Sequence, residues 1–281
     1  MPYLSPATTD EALALLARGR PVPVAGGTDF FPAQRPGAQV RDILDLTRIQ
    51  GLRGITREGG SWRIGAATTW TDIVRADLPP AFDALKAAAR EVGSVQIQNA
   101  GTVAGNICNA SPAADGMPPL LALDTEVEIA SLSGPRRLPL SQFVTGVRRT
   151  ALQPGELVTA LHVPAPADGT GSAFEKLGSR RYLVISIVMV AANVTLRDGH
   201  IAQAQVAVGS CSPVAQRLPA LERRLAGLAP ADLRDLAIAA QDLAPLSPID
   251  DVRGSAGYRI GAVGELCRRA LIRAAAGATD G

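Results

Sequence analysis

The stretch Gln96–Leu123 constrains the fold most, because it is rich in small residues and carries almost no charge. Glycine permits positive φ angles, and small side chains let a ligand approach backbone N–H groups. Asn106, Ser111 and Asp115 add hydrogen-bonding groups with little bulk. The stretch ends in apolar Met117–Leu123, which predicts a short helix. We interpret it as a cradle for a large phosphate-bearing ligand; the alternative is an ordinary glycine-rich turn between two strands.

A second glycine-rich turn lies near the start of the chain. Helical spacing over Thr8–Arg20 precedes an apolar run, Pro21–Ala25, which predicts a strand. Gly26–Asp29 then adds a hydroxyl and a carboxylate behind two glycines. Neither GxGxxG nor GxxxxGK[ST] occurs in the chain, so the Rossmann and P-loop signatures are absent. Taken alone, this turn is also explained as a tight turn without a ligand.

Composition excludes several classes of function. The chain has 281 residues, of which 47% are hydrophobic, so two domains with a sizeable core are possible. A net charge of +2 without a basic block argues against nucleic-acid binding. Three scattered cysteines form no CxxC pair, so we expect no metal site on this chain. Without a signal peptide or an apolar run of membrane-spanning length, we expect a cytoplasmic protein with no membrane span.

The order of predicted elements suggests two parts. Alternating strands and helices run to a strand at Glu156–Val163, and Ala165–Gly171 has the composition of a linker. Beyond it, Leu183–Leu196 is predicted as part helix and part strand, and Ile201–Val208 as a hairpin partner. Helical periodicity then predicts three helices, over Ala215–Leu225, Pro230–Ala240 and Tyr258–Ala276.

Six motifs follow one another over some 235 residues. They are AGGTD (Ala25–Asp29), QIQNAGTVAGN (Gln96–Asn106), SPAAD (Ser111–Asp115), FVTGVRRTALQPGELV (Phe143–Val158), FEKLGSRR (Phe174–Arg181) and DVRGSAGYR (Asp251–Arg259). Each is weak alone, but the ordered series resembles the FAD-binding subunit or domain of the molybdenum hydroxylases. That family includes xanthine dehydrogenase and the medium subunit of aerobic carbon monoxide dehydrogenase.

The resemblance implies an α+β fold with two domains. Residues 1–165 would form a two-lobed FAD-binding domain of the vanillyl-alcohol oxidase type, with lobes of about 1–52 and 53–165. Residues 172–281 would form a smaller domain of the carbon monoxide dehydrogenase flavoprotein type. Its expected content is a three-stranded antiparallel sheet packed against a helical bundle.

The resemblance also implies two phosphate loops for FAD. The first would comprise Pro23, Val24, Ala25, Gly26, Gly27, Thr28, Asp29 and Phe30, and the second Thr102, Val103, Ala104, Gly105 and Asn106. Uncharged loops of this kind hold anions with backbone N–H dipoles. Ala104 stands where relatives commonly have glycine, and we expect its methyl group to lie near the phosphate. Gln98 stands where an arginine is common, which removes a charge near the loop.

Four further residues would complete the cofactor site. Asp115 would accept hydrogen bonds from FAD hydroxyls, because a carboxylate has acceptors and no donor. Val158 would approach the flavin through the strand backbone, and Lys176 would lie near the isoalloxazine and stabilise the anionic reduced flavin. Val92 occupies a position that is aromatic in some relatives. Direct roles for Asp29 and for Arg148, Arg180 and Arg181 are left open, and each has a plain structural alternative.

The function implied is that of an electron-transfer subunit of a heterotrimeric molybdenum hydroxylase. A large partner subunit would carry the molybdopterin cofactor, and a small one would carry two [2Fe–2S] clusters that feed FAD on this chain. The acceptor could be NAD⁺, a quinone, a cytochrome or O₂, and the substrate is not determined by this chain. No catalytic side chain is expected here. The alternatives are a self-sufficient flavin oxidase or reductase, for which no convincing histidine or tyrosine base is found, and a scaffold that has lost its cofactor.

Overall fold

The computed structural model describes residues 3–35 and 41–279, and its first lobe is a small parallel sheet with one helix. The elements are β1 (Tyr3–Leu4), α1 (Thr9–Gly19), β2 (Val22–Val24) and β3 (Ile43–Asp45). Strand β3 lies in the centre and pairs in parallel with β1 and β2. Helix α1 begins after Thr8, whose side chain accepts a hydrogen bond from Glu11 N. The first glycine-rich turn therefore follows directly from the edge strand β2.

The second lobe is a five-stranded antiparallel sheet covered by helices. Its elements are β4 (Ile55–Glu58), β5 (Ser61–Gly65), α2 (Trp70–Arg75), α3 (Asp83–Glu91), α4 (Val95–Ala100), α5 (Val103–Asn109), α6 (Met117–Ala122), β6 (Glu126–Ala130), β7 (Arg136–Pro139), α7 (Leu140–Phe143), β8 (Val144–Gly146), β9 (Arg149–Thr150) and β10 (Leu157–Pro164). The sheet order is β4-β5-β10-β6-β7, and β8 pairs separately with β9. The stretch Gln96–Leu123, which opened the sequence analysis, thus forms three short helices and the turns between them.

The C-terminal part is a second antiparallel sheet with its helices on one face and the second lobe on the other. Its elements are β11 (Gly171–Leu177), β12 (Val188–Arg197), β13 (His200–Gly209), β14 (Gln216–Arg217), α8 (Pro219–Leu225) and α9 (Ala256–Gly277). The order is β11-β12-β13-β14, so the sheet has four strands and the prediction of three was wrong. The short β14 pairs with β13. The helix predicted over Ala215–Leu225 therefore begins only at Pro219.

Two other helices predicted for this part were also wrong. The segment Leu183–Leu196 contains no helix; β12 starts at Val188 and takes up the rest of it. Alternation explains the strand, since successive β12 side chains enter two different cores. The helix predicted over Pro230–Ala240 is a single 3₁₀ turn, Pro230–Arg234, in which only Leu233 is buried. One buried residue does not form the apolar stripe that holds a longer helix.

The main hydrophobic core crosses from the second lobe into the C-terminal part. Met189 and Ala191 of β12 pack into the core that contains Trp70 and Phe82. Val188 and Val190 point to the opposite face, into a separate core with α8 and α9. A third, smaller core joins α1 to β3. In the described part of the chain, no helix is both long and apolar enough to cross a bilayer.

Candidate functional site

A cavity of about 870 Å³ lies where the two glycine-rich stretches meet. This volume is in the range of about 300–1,000 Å³ that small-molecule sites occupy. Its walls come from the turn after β2, the ends of α3 and α4, helix α5 and the loop that follows it, and a loop before β12. Both of the cradles predicted from sequence therefore face one space.

The first glycine turn and the second stretch touch through their backbones. A Cβ built on Gly26 would lie 1.8 Å from the carbonyl oxygen of Ala100, so only glycine fits there. A Cβ on Gly101 would lie 3.3 Å from Thr28 Oγ1, which places that hydroxyl beside the second stretch. Gly27 has a φ of +68°. The two turns therefore form one continuous wall of the cavity.

The second phosphate loop predicted from sequence is the first turn of helix α5. Thr102 is its N-cap residue, and its Oγ1 accepts a hydrogen bond from Gly105 N at 3.1 Å. Val103, Ala104 and Ile107 enter the main core, while Gly105 and Asn106 face the cavity. The buried Oδ1 of Asn106 has no hydrogen-bond partner among the described residues. A buried acceptor without a partner is costly, and this one lies in a residue of the cavity wall.

The Ala104 side chain does not line the cavity. Ala104 is 3% exposed and belongs to the main core, so its methyl group points away from the cavity. The reason is helical phase: residues 103, 104 and 107 share one face of α5. A glycine or an alanine at this position therefore leaves the cavity wall unchanged.

Asp115 lies on the cavity wall, and both of its carboxylate oxygens accept hydrogen bonds from other side chains. Oδ2 accepts a hydrogen bond from Lys176 Nζ at 2.8 Å, and Oδ1 accepts one from Ser186 Oγ at 2.6 Å. All three residues are largely shielded from solvent. Burial raises the pKa of Asp115, and the ammonium and the hydroxyl oppose that shift. Each carboxylate oxygen has more than one acceptor site, so Asp115 can still accept hydrogen bonds from a ligand in the cavity.

Thirteen of the seventeen residues predicted to contact FAD line this cavity. They are Pro23, Val24, Ala25, Gly26, Gly27, Thr28, Asp29, Phe30, Val92, Thr102, Gly105, Asn106 and Asp115. Val103 and Ala104 lie behind the wall in the core. Val158 is 4% exposed in the central strand β10, where it pairs with Ile129 and packs in the same core. Lys176 does not line the cavity itself, and it contacts the wall through its ion pair with Asp115 and a hydrogen bond of 3.5 Å to the carbonyl of Glu91.

Several cavity residues were not identified from the sequence. Gly93 and Ser94 join α3 to α4 beside Val92, and Gly93 has a φ of +55°. A glycine between two helices was the available signal. Leu183–Ile185 form an apolar rim, and nothing in their local sequence indicates a cavity. Arg148, whose role was left open, also lines the cavity, and among the described lining residues it is the single cation.

Other reactive side chains do not form a catalytic group. Cys108 lines the cavity, but burial raises the pKa of its thiol to about 12, so it is protonated at neutral pH. His162 is buried outside the cavity and bonds to Glu128 at 2.8 Å. Within the described ranges, no group of three His, Cys, Asp or Glu side chains could hold a metal ion. The cavity thus contains polar groups for binding and no arranged acid–base or metal centre.

Comparison with known proteins agrees with this geometry. Residues 1–166 match the family model described as the FAD binding domain in molybdopterin dehydrogenase, and residues 172–274 match the CO dehydrogenase flavoprotein C-terminal domain. The xanthine dehydrogenase FAD-binding subunit of Escherichia coli O157:H7 is 34% identical, covering 98% of this chain and 96% of that protein. The carbon monoxide dehydrogenase medium chain of Hydrogenophaga pseudoflava is 31% identical, covering 96% and 95%.

A solved structure gives the same result in three dimensions. A chain of the Cu,Mo-CO dehydrogenase, in its cyanide-inactivated form, superposes with a TM-score of 0.92 at 30% identity. The match covers 99% of this chain and 98% of that one. Family models span nearly the whole sequence, and these relatives match over 95% or more of their own length. The chain therefore belongs to the FAD-binding medium subunits of the molybdenum hydroxylases, the family of xanthine dehydrogenase and carbon monoxide dehydrogenase.

Proposed function

We propose that this chain binds FAD in the cavity and passes electrons from [2Fe–2S] clusters on a small partner subunit to an external acceptor. A large molybdopterin-binding partner would oxidise the substrate, and NAD⁺, a quinone, a cytochrome or O₂ would be the acceptor. Bound FAD supplies the redox chemistry, because it exchanges electrons singly or in pairs. The chain itself then has to bind, orient and shield the cofactor.

The backbone contact between Gly26 and Ala100 is the observation that carries this proposal. It brings two glycine-rich turns together along one wall, where backbone N–H groups and the Thr28 hydroxyl can meet a diphosphate. The cavity size and the unpartnered Asn106 Oδ1 also fit a large polar ligand. We therefore propose that 23–30 and the first turn of α5 hold the FAD diphosphate.

Asp115 is proposed to bind FAD hydroxyl groups. Lys176 and Ser186 hold its carboxylate toward the cavity, so it is oriented before the ligand arrives. Lys176 was expected beside the isoalloxazine; its ion pair supports instead a role exerted through Asp115. Val92 is proposed as an apolar contact on the wall. The Val158 side chain lies in the core, so its approach to the flavin through the strand backbone stays a prediction.

We further propose that residues 1–165 are the FAD-binding domain and 172–281 a second domain that completes the site. The first part supplies both glycine turns and Asp115, while the second supplies Lys176, Ser186 and the rim Leu183–Ile185. The FAD site would therefore be built jointly, with most direct contacts from the first domain.

Titration of the full chain with FAD tests this proposal. We expect flavin absorbance to co-elute with the chain, and Gly105→Trp to lower FAD affinity by at least about a hundredfold, because the indole would enter the cavity. Gly261→Trp is the matched control, since nothing lies within 4 Å of a Cβ at that exposed position. A chain that takes up no FAD, or a Gly105→Trp variant that binds it normally, would contradict the proposed site.

The electron-transfer role needs a second measurement. We expect the FAD-loaded chain alone to oxidise none of the xanthine, aldehyde or N-heterocycle substrates tested, and its flavin to be reduced when reduced [2Fe–2S] partner subunit is added. Turnover of such a substrate by the isolated chain would favour the alternative of a self-sufficient flavin oxidase.

A further inference from the structure

The motif Asp251–Arg259 lies outside the cavity, yet its last residue is a buried cation. Arg259, in the first turns of α9, is 2% exposed. Its Nη1 donates hydrogen bonds to the carbonyls of Ile187 at 2.5 Å and Ser210 at 2.9 Å, and its Nη2 donates to Asp251 Oδ1 at 2.7 Å. Burying a guanidinium costs free energy unless its charge and its donors are matched. Asp251 and the two carbonyls match the charge and both Nη groups, while the buried Nε has no hydrogen-bond partner among the described residues. Arg259 therefore fixes these three groups relative to one another.

The Ile187 carbonyl lies next to one of the two residues that donate hydrogen bonds to Asp115. Ser186, the preceding residue, donates to Asp115 Oδ1. The backbone N of Ile187 donates to the carbonyl of Leu177 at 2.8 Å, next to Lys176. Both donors to the Asp115 carboxylate thus sit where β11 and the start of β12 are joined.

The Ser210 carbonyl leads to the same segment from the other side. Ser210 follows β13 with a φ of +63°, an uncommon conformation for a residue other than glycine. Its backbone N donates to the carbonyl of Pro112 at 3.0 Å, within the segment Ser111–Asp115. One guanidinium therefore braces both connections between the C-terminal sheet and the Asp115 segment.

We propose that Arg259 is a positioning residue for FAD: with Asp251 as its counter-ion, it holds Ser186 and Ser210 so that the Asp115 carboxylate faces the cavity in one orientation. Arg259 is not on the cavity wall and acts through these residues. The inference rests on the proposed FAD site and adds a role for a motif that the site itself does not use. Its chemistry requires arginine, since a lysine ammonium does not present the planar fork that reaches two carbonyls and a carboxylate.

The test compares FAD affinity with thermal stability in the full chain. We expect Arg259→Lys and Asp251→Asn each to raise the FAD dissociation constant by at least about tenfold, because one hydrogen bond to a charged group contributes about that much to binding. The titrations are made well below the unfolding temperature. Arg224→Lys is the control, because Arg224 likewise joins a carboxylate, Asp242, and a carbonyl, Ala237, in the same domain. It should lower the unfolding midpoint but leave the dissociation constant within about twofold.

A double-mutant cycle then separates positioning from general support. If Arg259 acts through Ser186 and Asp115, Ser186→Ala combined with Asp251→Asn should weaken FAD binding by clearly less than the product of the two single effects. Multiplicative effects, or variants that lose thermal stability while binding FAD as tightly as the unchanged chain, would overturn the inference. If the unchanged chain binds no FAD, the proposed function fails instead. Asp251 is partly exposed in a loop, so its variant keeps the test open should Arg259→Lys fail to fold.

Discussion

At the scale of single residues, close packing requires glycine at one position in the cavity wall and at another next to Asp115. A Cβ on Gly26 would overlap the Ala100 carbonyl, and one on Gly116 would lie 2.4 Å from Trp70 Cη2. Both contacts involve groups that cannot move easily, a backbone carbonyl in one case and a fully buried indole in the other. Glycine at these two sites is thus required by close approach.

Gly26→Ala should separate the two turns of the FAD site. We expect a loss of about 1–3 kcal/mol in the free energy of unfolding, as for other overpacked sites, and an FAD affinity at least about tenfold lower. Gly51→Ala is the control, because no atom lies within 4 Å of its Cβ position and its φ is not positive. Chemical denaturation and FAD titration measure the two effects. Equal behaviour of both variants would show that the turns are not held together at Gly26.

The sequence identified the cavity residues well but misjudged their orientation. Thr28, Asn106 and Asp115 could be predicted because ordered motifs mark chain positions. Ala104 could not be placed correctly while Thr102–Asn106 was treated as a loop. Thr102 caps a helix there, and helical phase then turns Ala104 into the core. The capping threonine followed by apolar residues 103 and 107 was the signal that was available.

At the scale of secondary structure, sheet order decides which strands reach the cavity. Strand β10 was correctly predicted, but it lies between β5 and β6 at the centre of its sheet, so Val158 is covered on both sides. Local sequence does not reveal strand order, because pairing joins residues far apart in the chain. The same limit affected Leu183–Leu196, because its apolar run fits either a helix or a strand. The strand becomes evident only in the fold, where alternate β12 side chains enter two different cores.

Glu128 on β6 makes the five-stranded sheet sensitive to acid. Its oxygens accept hydrogen bonds from Thr159 at 2.7 Å and Arg137 at 3.1 Å and pair with His162 at 2.8 Å. Burial by itself would raise the pKa of Glu128, but these partners outweigh burial and lower the pKa from 4.5 to about 2. Because the pKa of Glu128 is lower in the folded state than in the unfolded chain, the ionised carboxylate stabilises the fold fully above pH 4.5. This contribution is lost as the pH falls toward 2.

We therefore expect Glu128→Gln to lower the free energy of unfolding at pH 7 by about 2–3 kcal/mol. The difference from the unchanged chain should shrink as the pH falls from 4.5 toward 2. Urea unfolding of both proteins between pH 7 and pH 3 measures it. Glu126→Gln, on the same strand, is the control and should change stability little at any pH. A difference that stays constant down to pH 3 would contradict the role given to the ionised carboxylate.

At the scale of the whole molecule, the two parts of the chain share one core and one set of cavity supports. Phe174, Met189 and Ala207 of the C-terminal sheet pack into the core of the second lobe. Ser172 Oγ accepts a hydrogen bond from Ala84 N and donates one to the Pro80 carbonyl. Lys176 and Ser186, which both belong to the C-terminal part, donate hydrogen bonds to Asp115 of the first part. The linker predicted from composition lies between β10 and β11, but composition could not show how much apolar surface the two parts bury together.

Residues 1–165 alone should therefore fail to bind FAD tightly, although they contain both glycine turns. Removing residues 166–281 exposes the core faces of α3 and α6 and leaves Asp115 without either donor. A full chain with a protease site inserted after Ala165 is the matched comparison. After cleavage we expect its two pieces to elute together and keep FAD, because the shared core does not depend on that peptide bond. Gel filtration monitored by flavin absorbance measures how much FAD each of the two proteins retains. If 1–165 alone bound FAD as tightly as the nicked chain, the C-terminal part would have no share in the site.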